Sequence, residues 1–275
     1  MQEKIKLASL KNKPIGIFDS GFGGLTVMSA ISKALPAENL IYFGDTAHVP
    51  YGSKSRDAVI KFSKDIAAFL LKNDIKLLVI ACNTASAFAL TALKKSLPVA
   101  VIGVIEPGAK AAVKNTKNRK IGIIGTEGTV SSASYLKAVK KISKARVFQQ
   151  ACPLFVPLVE EGWNKGEITQ AVVKTYLTPL LKKNIDSLVL GCTHYPLLKD
   201  LLAKTAGKNV SLIDSATATA NEVKEALLKK DLLSNAKKAA LKFYVSDNPE
   251  KFKKIGSKFF CKKINKVKKI CLEKM

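Results

Sequence analysis

Two cysteines stand where similar segments turn from apolar to polar residues. Residues 77–87 read LLVIACNTASA, and residues 188–198 read LVLGCTHYPLL. In each segment, strong apolar residues lead to a small residue, a cysteine and a pair of hydrogen-bonding residues. This pattern predicts a buried strand that delivers a thiol to a polar turn, with a helix beginning beyond it. The thiols of Cys82 and Cys192 are therefore the first candidates for chemistry.

Two thiols that face each other can form a disulfide, bind a metal ion or act as a paired acid and base. A structural disulfide does not suit a reducing cytoplasm, and a metal ion would need more ligands than these turns supply. A paired acid and base suits a reaction that takes a proton from one face of a carbon and returns one to the other. The two thiols must then differ in protonation state. We expect the helix N-terminus to lower the pKa of such a thiol.

The composition indicates a chain with ample apolar residues for a core. It has 275 residues, of which 47% are hydrophobic, and five cysteines without framework spacing. Such cysteine usage fits a reducing compartment, and Cys152, Cys261 and Cys271 are read as small packing residues. No apolar run is long enough for a membrane span, and no signal-peptide core is seen. We expect a cytoplasmic protein with no membrane contact and no metal site.

The formal net charge of +25 raises nucleic acid as a partner. The excess is mostly lysine, spread along predicted helices and concentrated in residues 237–269. Lysine spread in this way is usually a solvated surface, and no nucleic-acid-binding motif accompanies it. We therefore expect no dedicated nucleic-acid partner, although the charge would attract an anionic substrate.

Strands and helices alternate along the chain, and their order is repeated once. Strands are predicted at residues 13–19, 40–43, 77–81, 99–105, 120–125, 145–149, 187–190 and 210–214. Helices are predicted at residues 25–34, 56–71, beyond 82 to about 95, 131–141, 168–181 and from 216, with a polar turn at 126–130. The offsets between matching blocks are 106 (Ile15 to Ile121), 110 (Cys82 to Cys192) and 108 (Glu106 to Asp214). Nearly constant offsets indicate an internal duplication.

The predicted fold class is α/β, with two pseudo-symmetric lobes, each a mostly parallel sheet flanked by helices. In such sheets functional residues lie beyond the carboxyl ends of the strands, where Asp19, Cys82, Thr126 and Cys192 fall. Two facing lobes would place the two cysteines on opposite sides of one cleft. After residue 214 we expect another strand, at 242–245, and two helices.

Six motifs connect the chain to a known family. They are DSGFGG (19–24), YFGDTAHVPYGSKS (42–55), ACNTASA (81–87), GVIEPG (103–108), CPLFVPLVEEG (152–162) and GCTHYPLL (191–198). In these motifs and their order the chain resembles the glutamate racemases over nearly its whole length. ACNTASA alone indicates only the wider group of amino-acid racemases, whereas GCTHYPLL together with PYGSKS and CPLFVPLVEEG is more specific.

The resemblance implies a cofactor-independent two-base racemase that interconverts L- and D-glutamate for peptidoglycan synthesis in a bacterial cytoplasm. By the family pattern Cys82 and Cys192 are the acid/base thiols, with Asp19 near the first and His194 near the second. The pattern also implies substrate contacts, at Asp19, Ser20, Tyr51, Gly52, Asn83, Thr84, Thr126, Thr193 and His194. The family fold further implies that residues 217–275 return to a first lobe at 14–105, with 106–216 as the second lobe.

Several alternatives stay open at this stage. Glu160 is a further catalytic candidate, and Glu161 beside it is not separated from it. Asp19 could instead cap the glycine turn, and Tyr51 could belong to an ordinary turn. The alternative functions are a racemase for aspartate or another amino acid, or a regulatory protein that binds a DNA-processing enzyme or nucleic acid. The oligomeric state is not determined, and a homodimer is the candidate assembly.

Overall fold

The computed structural model describes residues 10–272, so the first nine and the last three residues of the chain lie outside the description. In the described part of the chain the strands are β1 Ile15–Asp19, β2 Leu40–Gly44, β3 Leu77–Ile80, β4 Ala100–Gly103, β5 Lys120–Gly125, β6 Arg146–Ala151, β7 Ser187–Gly191, β8 Ser211–Asp214, β9 Leu241–Val245 and β10 Lys268–Lys269. The helices are α1 Leu25–Ala34, α2 Arg56–Lys72, α3 Asn83–Ser96, α4 Ile105–Asn115, α5 Glu127–Ser131, α6 Ser134–Ile142, α7 Phe155–Glu160, α8 Glu167–Leu181, α9 Lys199–Ala206, α10 Ser215–Lys229 and α11 Pro249–Phe260. Two short 3-10 turns cover Tyr51–Ser53 and Tyr195–Leu198.

The strands form two parallel sheets with the same internal order. One sheet has the order β10-β9-β2-β1-β3-β4, and the other has the order β6-β5-β7-β8. The register repeats as well. Ile15 of β1 pairs with Leu77 of β3, and Ile121 of β5 pairs with Ser187 of β7. The two-lobed α/β fold is therefore confirmed, and the duplication expected from the sequence is present in the sheet topology.

The C-terminal part of the chain returns to the first sheet. Strand β9 pairs with β2 along its length, with Tyr42 opposite Phe243. Helix α11 packs against α1, and α10 contacts both α1 and α4. The expected strand and two helices after residue 214 are thus present, while the division of the lobes at residues 105/106 and 216/217 stays a prediction.

Burial on both faces explains why the central strands are so apolar. All residues of β1, β2, β3 and β7 are buried, because helices cover both faces of a parallel sheet. One core cluster spans both lobes and includes Leu25 of α1, Leu188 of β7 and Phe252 of α11. In the described structure the carboxyl ends of the two sheets therefore lie against one another. Between residues 10 and 272, no helix is both long and apolar enough to cross a bilayer.

Two segments differ from the sequence-based prediction. The strand predicted at residues 99–105 is shorter in the structure and covers only Ala100–Gly103. Ile105 begins a helix that contains the Glu106-Pro107-Gly108 sequence. Proline is tolerated there because the first turn of a helix leaves its N–H groups without intrahelical partners. The polar turn predicted at 126–130 is instead helix α5, and the next helix starts at residue 134 after Ala133, which has a left-handed backbone (φ 53°).

Candidate active site

The facing ends of the two sheets enclose one small polar cavity. Its volume is about 20 Å³, which is room for about one water molecule. The lining residues are Ser20, Val49, Pro50, Tyr51, Gly52, Cys82, Asn83, Thr84, Thr126, Val156, Cys192, Thr193 and His194. Every residue that the sequence singled out for this site is in this lining except Asp19 and Glu160, which lie behind it.

The carboxyl ends of four strands position the key side chains. Asp19 is the last residue of β1, and Cys82 follows β3 as the N-cap of α3. In the second lobe Thr126 follows β5 as the N-cap of α5, and Cys192 follows β7. Each of these strands is central in its sheet, so the backbone that carries these side chains is hydrogen-bonded to a strand on both sides.

Cys82 is buried and is held as a neutral thiol. Its Sγ accepts a hydrogen bond from the backbone N–H of Ala85 at 3.4 Å. Burial and the negative charge of Asp19 raise the pKa of Cys82 to about 12, although the bonds from Ala85 and Ser20 act in the opposite direction. The N–H group at the helix N-terminus lowers this pKa as expected, but the net shift is upward, because loss of hydration outweighs the contribution of one N–H group.

Cys192 lies beside a positively charged imidazole. Its Sγ is 3.8 Å from Nδ1 of His194, and Nε2 of His194 is 3.1 Å from Oε1 of Glu160. Burial lowers the pKa of His194, but the hydrogen bonds and charges of Cys192 and Glu160 outweigh burial and raise it to about 10. The ring is thus an imidazolium at neutral pH, placed where it can stabilise negative charge on the sulfur. Glu160 makes this contact, whereas the neighbouring Glu161 is exposed.

Asp19 lies behind the cavity wall and connects its two sides. The side chain is fully buried. It accepts hydrogen bonds from the backbone N–H of Gly21 at 3.0 Å and from the hydroxyl of Thr193 at 3.4 Å. Burial raises the pKa of Asp19, while the charge of His194 and these donors lower it. The carboxyl group therefore acts on Cys82 through its charge and on the opposite lobe through Thr193.

Hydroxyl groups from both lobes meet at one end of the cavity. Thr84 Oγ1 is 2.8 Å from Thr126 Oγ1 and 3.3 Å from Thr129 Oγ1. Gly52 packs against Thr126 so closely that a Cβ there would lie 2.6 Å from the Cβ of Thr126. This cluster provides hydrogen-bond donors in a cavity with room for about one water molecule.

Three supporting residues were not found from the sequence. The hydroxyl of Tyr51 donates to Asp45 at 2.6 Å, the hydroxyl of Tyr135 donates to Asn83 at 2.7 Å, and Thr129 completes the threonine cluster. Tyr135 and Thr129 come from helices of the second lobe and look like ordinary packing residues in the sequence. Asp45 belongs to the motif YFGDTAHVPYGSKS at residues 42–55, but only the fold places it behind Tyr51.

The arrangement can move protons to and from a carbon atom held between the sulfurs. One side presents a neutral thiol, and the other presents a sulfur beside an imidazolium. Asn83, Thr84 and Thr193 can donate hydrogen bonds to carboxylate oxygens, and preorganised donors in a dry site stabilise developing negative charge most effectively.

Comparisons with known proteins agree with this geometry. Residues 15–223 match the Asp/Glu/Hydantoin racemase family. The chain is 51% identical to glutamate racemase of Geobacter metallireducens, over 95% of this chain and 97% of that protein. The crystal structure of the RacE1 isoform from Bacillus anthracis superposes with a TM-score of 0.92 at 41% identity, covering 94% of this chain and 98% of that one.

A second solved structure bears on the ligand. Glutamate racemase from Francisella tularensis, in complex with D-glutamate, superposes with a TM-score of 0.91 at 37% identity. The match covers 96% of this chain and 100% of that one. With full-length relatives of this kind and a family match over most of its length, the chain belongs to the Asp/Glu/Hydantoin racemase family, and its relatives there are glutamate racemases.

Proposed function

We propose that this chain interconverts L- and D-glutamate by proton transfer between the substrate α-carbon and two cysteines. It is a racemase, and its product D-glutamate supplies peptidoglycan synthesis. The observation that carries the assignment of roles is that Cys82 and Cys192 occupy equivalent strand ends of a duplicated fold and line one cavity. Each thiol has its own ionisable neighbour.

The transfer needs one sulfur as the base and the other as the acid. In the direction that begins at Cys192, its sulfur beside His194 takes the α-proton and the C–H bond breaks. Cys82, held as a thiol, then gives its proton to the opposite face, and the negative charge ends on Cys82. The reverse reaction exchanges the two roles, so no proton or electron is gained or lost overall. Glu160 keeps His194 charged, and Asp19 acts as the corresponding neighbour of Cys82.

The substrate must enter by a movement of the protein. A cavity of about 20 Å³ cannot hold glutamate, so the lobes have to separate for binding and close again for chemistry. Closure excludes water, which strengthens the hydrogen bonds from Asn83, Thr84 and Thr193 to the substrate. The remaining contacts would come from lining residues of the same cavity, namely Ser20, Tyr51, Gly52 and Thr126.

The test is exchange of the α-proton in deuterium oxide, started separately from L- and D-glutamate without added cofactor. Wild type should place deuterium in the product from both directions. Cys82→Ser and Cys192→Ser should each lose racemisation, with opposite directional bias in any residual exchange. Cys152→Ser is the matched control, because Cys152 is a buried thiol outside the cavity lining, and it should keep racemase activity.

Two outcomes would contradict the proposal. A wild-type chain that neither exchanges nor racemises glutamate would exclude the substrate, and aspartate would be tried next. Full activity in both serine variants would exclude the two-thiol mechanism. Location in the cytoplasm and assembly as a homodimer remain proposals from the sequence, which cell fractionation and light scattering would test.

A further inference from the structure

The geometry points to Tyr135 as a positioning residue that fixes the side-chain amide of Asn83 so that its N–H₂ group faces the substrate. This inference rests on the proposed function, since it concerns how the same cavity holds the carboxylates of glutamate. Tyr135 lies in α6 of the second lobe, and Asn83 is the first residue of α3 in the first lobe. The hydrogen bond between them therefore crosses the cleft.

The contact is buried and directional. Tyr135 is fully buried and Asn83 is 2% exposed. The Tyr135 hydroxyl donates to Oδ1 of Asn83 at 2.7 Å. An amide oxygen can only accept a hydrogen bond, so the hydroxyl is the donor in this contact. The bond thus holds the amide with Oδ1 toward Tyr135 and Nδ2 away from it.

The other end of the same amide is left without a partner. Among the described residues Nδ2 of Asn83 is a buried nitrogen with no hydrogen-bond partner. Buried donors are normally satisfied, and an unpaired one calls for an explanation. Asn83 lines the cavity, so a ligand that enters it is the natural acceptor. The acceptor chemistry is a carboxylate oxygen, because glutamate carries two of them.

Closure of the lobes links this orientation to binding. Tyr135 reaches Asn83 only when the second lobe lies against the first, as in the described structure. In the closed state a free amide could equally turn its oxygen toward the substrate and repel a carboxylate. The hydroxyl of Tyr135 removes that alternative, so the donor is preorganised when the substrate is enclosed.

The first experiment is a double-mutant cycle with Tyr135→Phe and Asn83→Ala, measured as kcat and KM for both glutamate enantiomers. Tyr135→Phe alone should lower kcat/KM by roughly tenfold, about the value of one hydrogen bond to a charged group. In the Asn83→Ala background the same change should lower kcat/KM by less than about twofold, because the group that Tyr135 orients is gone. Thermal unfolding of each variant reports its stability separately.

Tyr195→Phe is the matched control. Its buried hydroxyl donates to the backbone carbonyl of Cys152 at 3.1 Å, so its removal also deletes one buried hydrogen bond. Its effect on kcat/KM should be the same with and without Asn83→Ala. A merely structural role of Tyr135 would give the same additive result, and additivity would overturn the inference.

Asn83→Asp tests the orientation without touching the tyrosine. Tyr135 can donate to one oxygen of the new carboxylate, and the other oxygen then faces the cavity. There it would repel a substrate carboxylate, so this near-isosteric change should lower kcat/KM more than Asn83→Ala does. A weaker effect than alanine would mean that an oxygen faces the substrate ammonium group, which would overturn the inference. An inactive wild type would overturn the proposed function itself, whereas an active wild type with additive changes would overturn only the role of Tyr135.

Discussion

A single methyl group at Gly23 should disable the site while leaving the fold intact. Gly23 belongs to the glycine turn between β1 and α1, and it packs directly against the second lobe. A Cβ at this position would lie 2.3 Å from Oγ1 of Thr193 and 2.8 Å from Nδ1 of His194. Ordinary contacts begin near 3.4 Å, so Thr193 and the turn must move apart by about 1.1 Å.

The size of that movement sets the expected magnitude. A displacement of about 1 Å in a positioning group can lower catalytic efficiency by about a hundredfold. Overpacking of a dense core typically lowers the free energy of unfolding by about 1–3 kcal/mol. We therefore expect Gly23→Ala to fold, to unfold at lower urea concentration, and to lose about two orders of magnitude in kcat/KM for glutamate.

The assay follows the conversion of L- to D-glutamate by circular dichroism. Urea unfolding is measured on the same protein samples. Gly122→Ala is the control, because a Cβ there would meet Cδ1 of Ile185 at 2.4 Å in the core of the second lobe. This variant should show a similar loss of stability but keep kcat/KM within about threefold of wild type. Wild-type efficiency in Gly23→Ala, or an equal loss in Gly122→Ala, would refute the argument from close packing.

Two further predictions follow from buried charges. Activity that needs the imidazolium of His194 should fall as the pH rises through about 10, the pKa to which Cys192 and Glu160 raise this group. Glu160→Gln lowers that pKa, so a pH profile of kcat/KM should show the alkaline fall at lower pH. An unchanged profile would exclude Glu160 from this role. Lys76→Met removes the partner of Glu38 in an ion pair whose side chains are 1% and 2% exposed, and should lower the free energy of unfolding by about 3–5 kcal/mol in urea. Lys76→Met combined with Glu38→Leu should recover much of that loss, and no recovery would show that the uncompensated charge is not the cause.

Local patterns were sufficient for most of the fold. Buried parallel strands are short apolar runs, so β5 and the helix at residues 25–34 were predicted with the bounds that the structure has. The failures occurred where local signals conflict. Pro107 and Gly108 suggested the end of a strand, whereas packing of Ile105 and Ala109 against the second sheet stabilises a helix with proline in its first turn.

The sequence by itself determined the duplication, the two-lobed α/β fold and the two cysteines, because repeated strand-end motifs are local and their spacing is read directly. The tertiary structure decided the electrostatics. Cys82 has the helix N-terminus that favours a thiolate, yet burial beside Asp19 makes it a thiol. The tertiary structure also decided which side chains form hydrogen bonds across the cleft, since Tyr135 meets Asn83 only when two segments 52 residues apart are brought together. Solvation and long-range contacts depend on the whole fold, and no local pattern of residues encodes them.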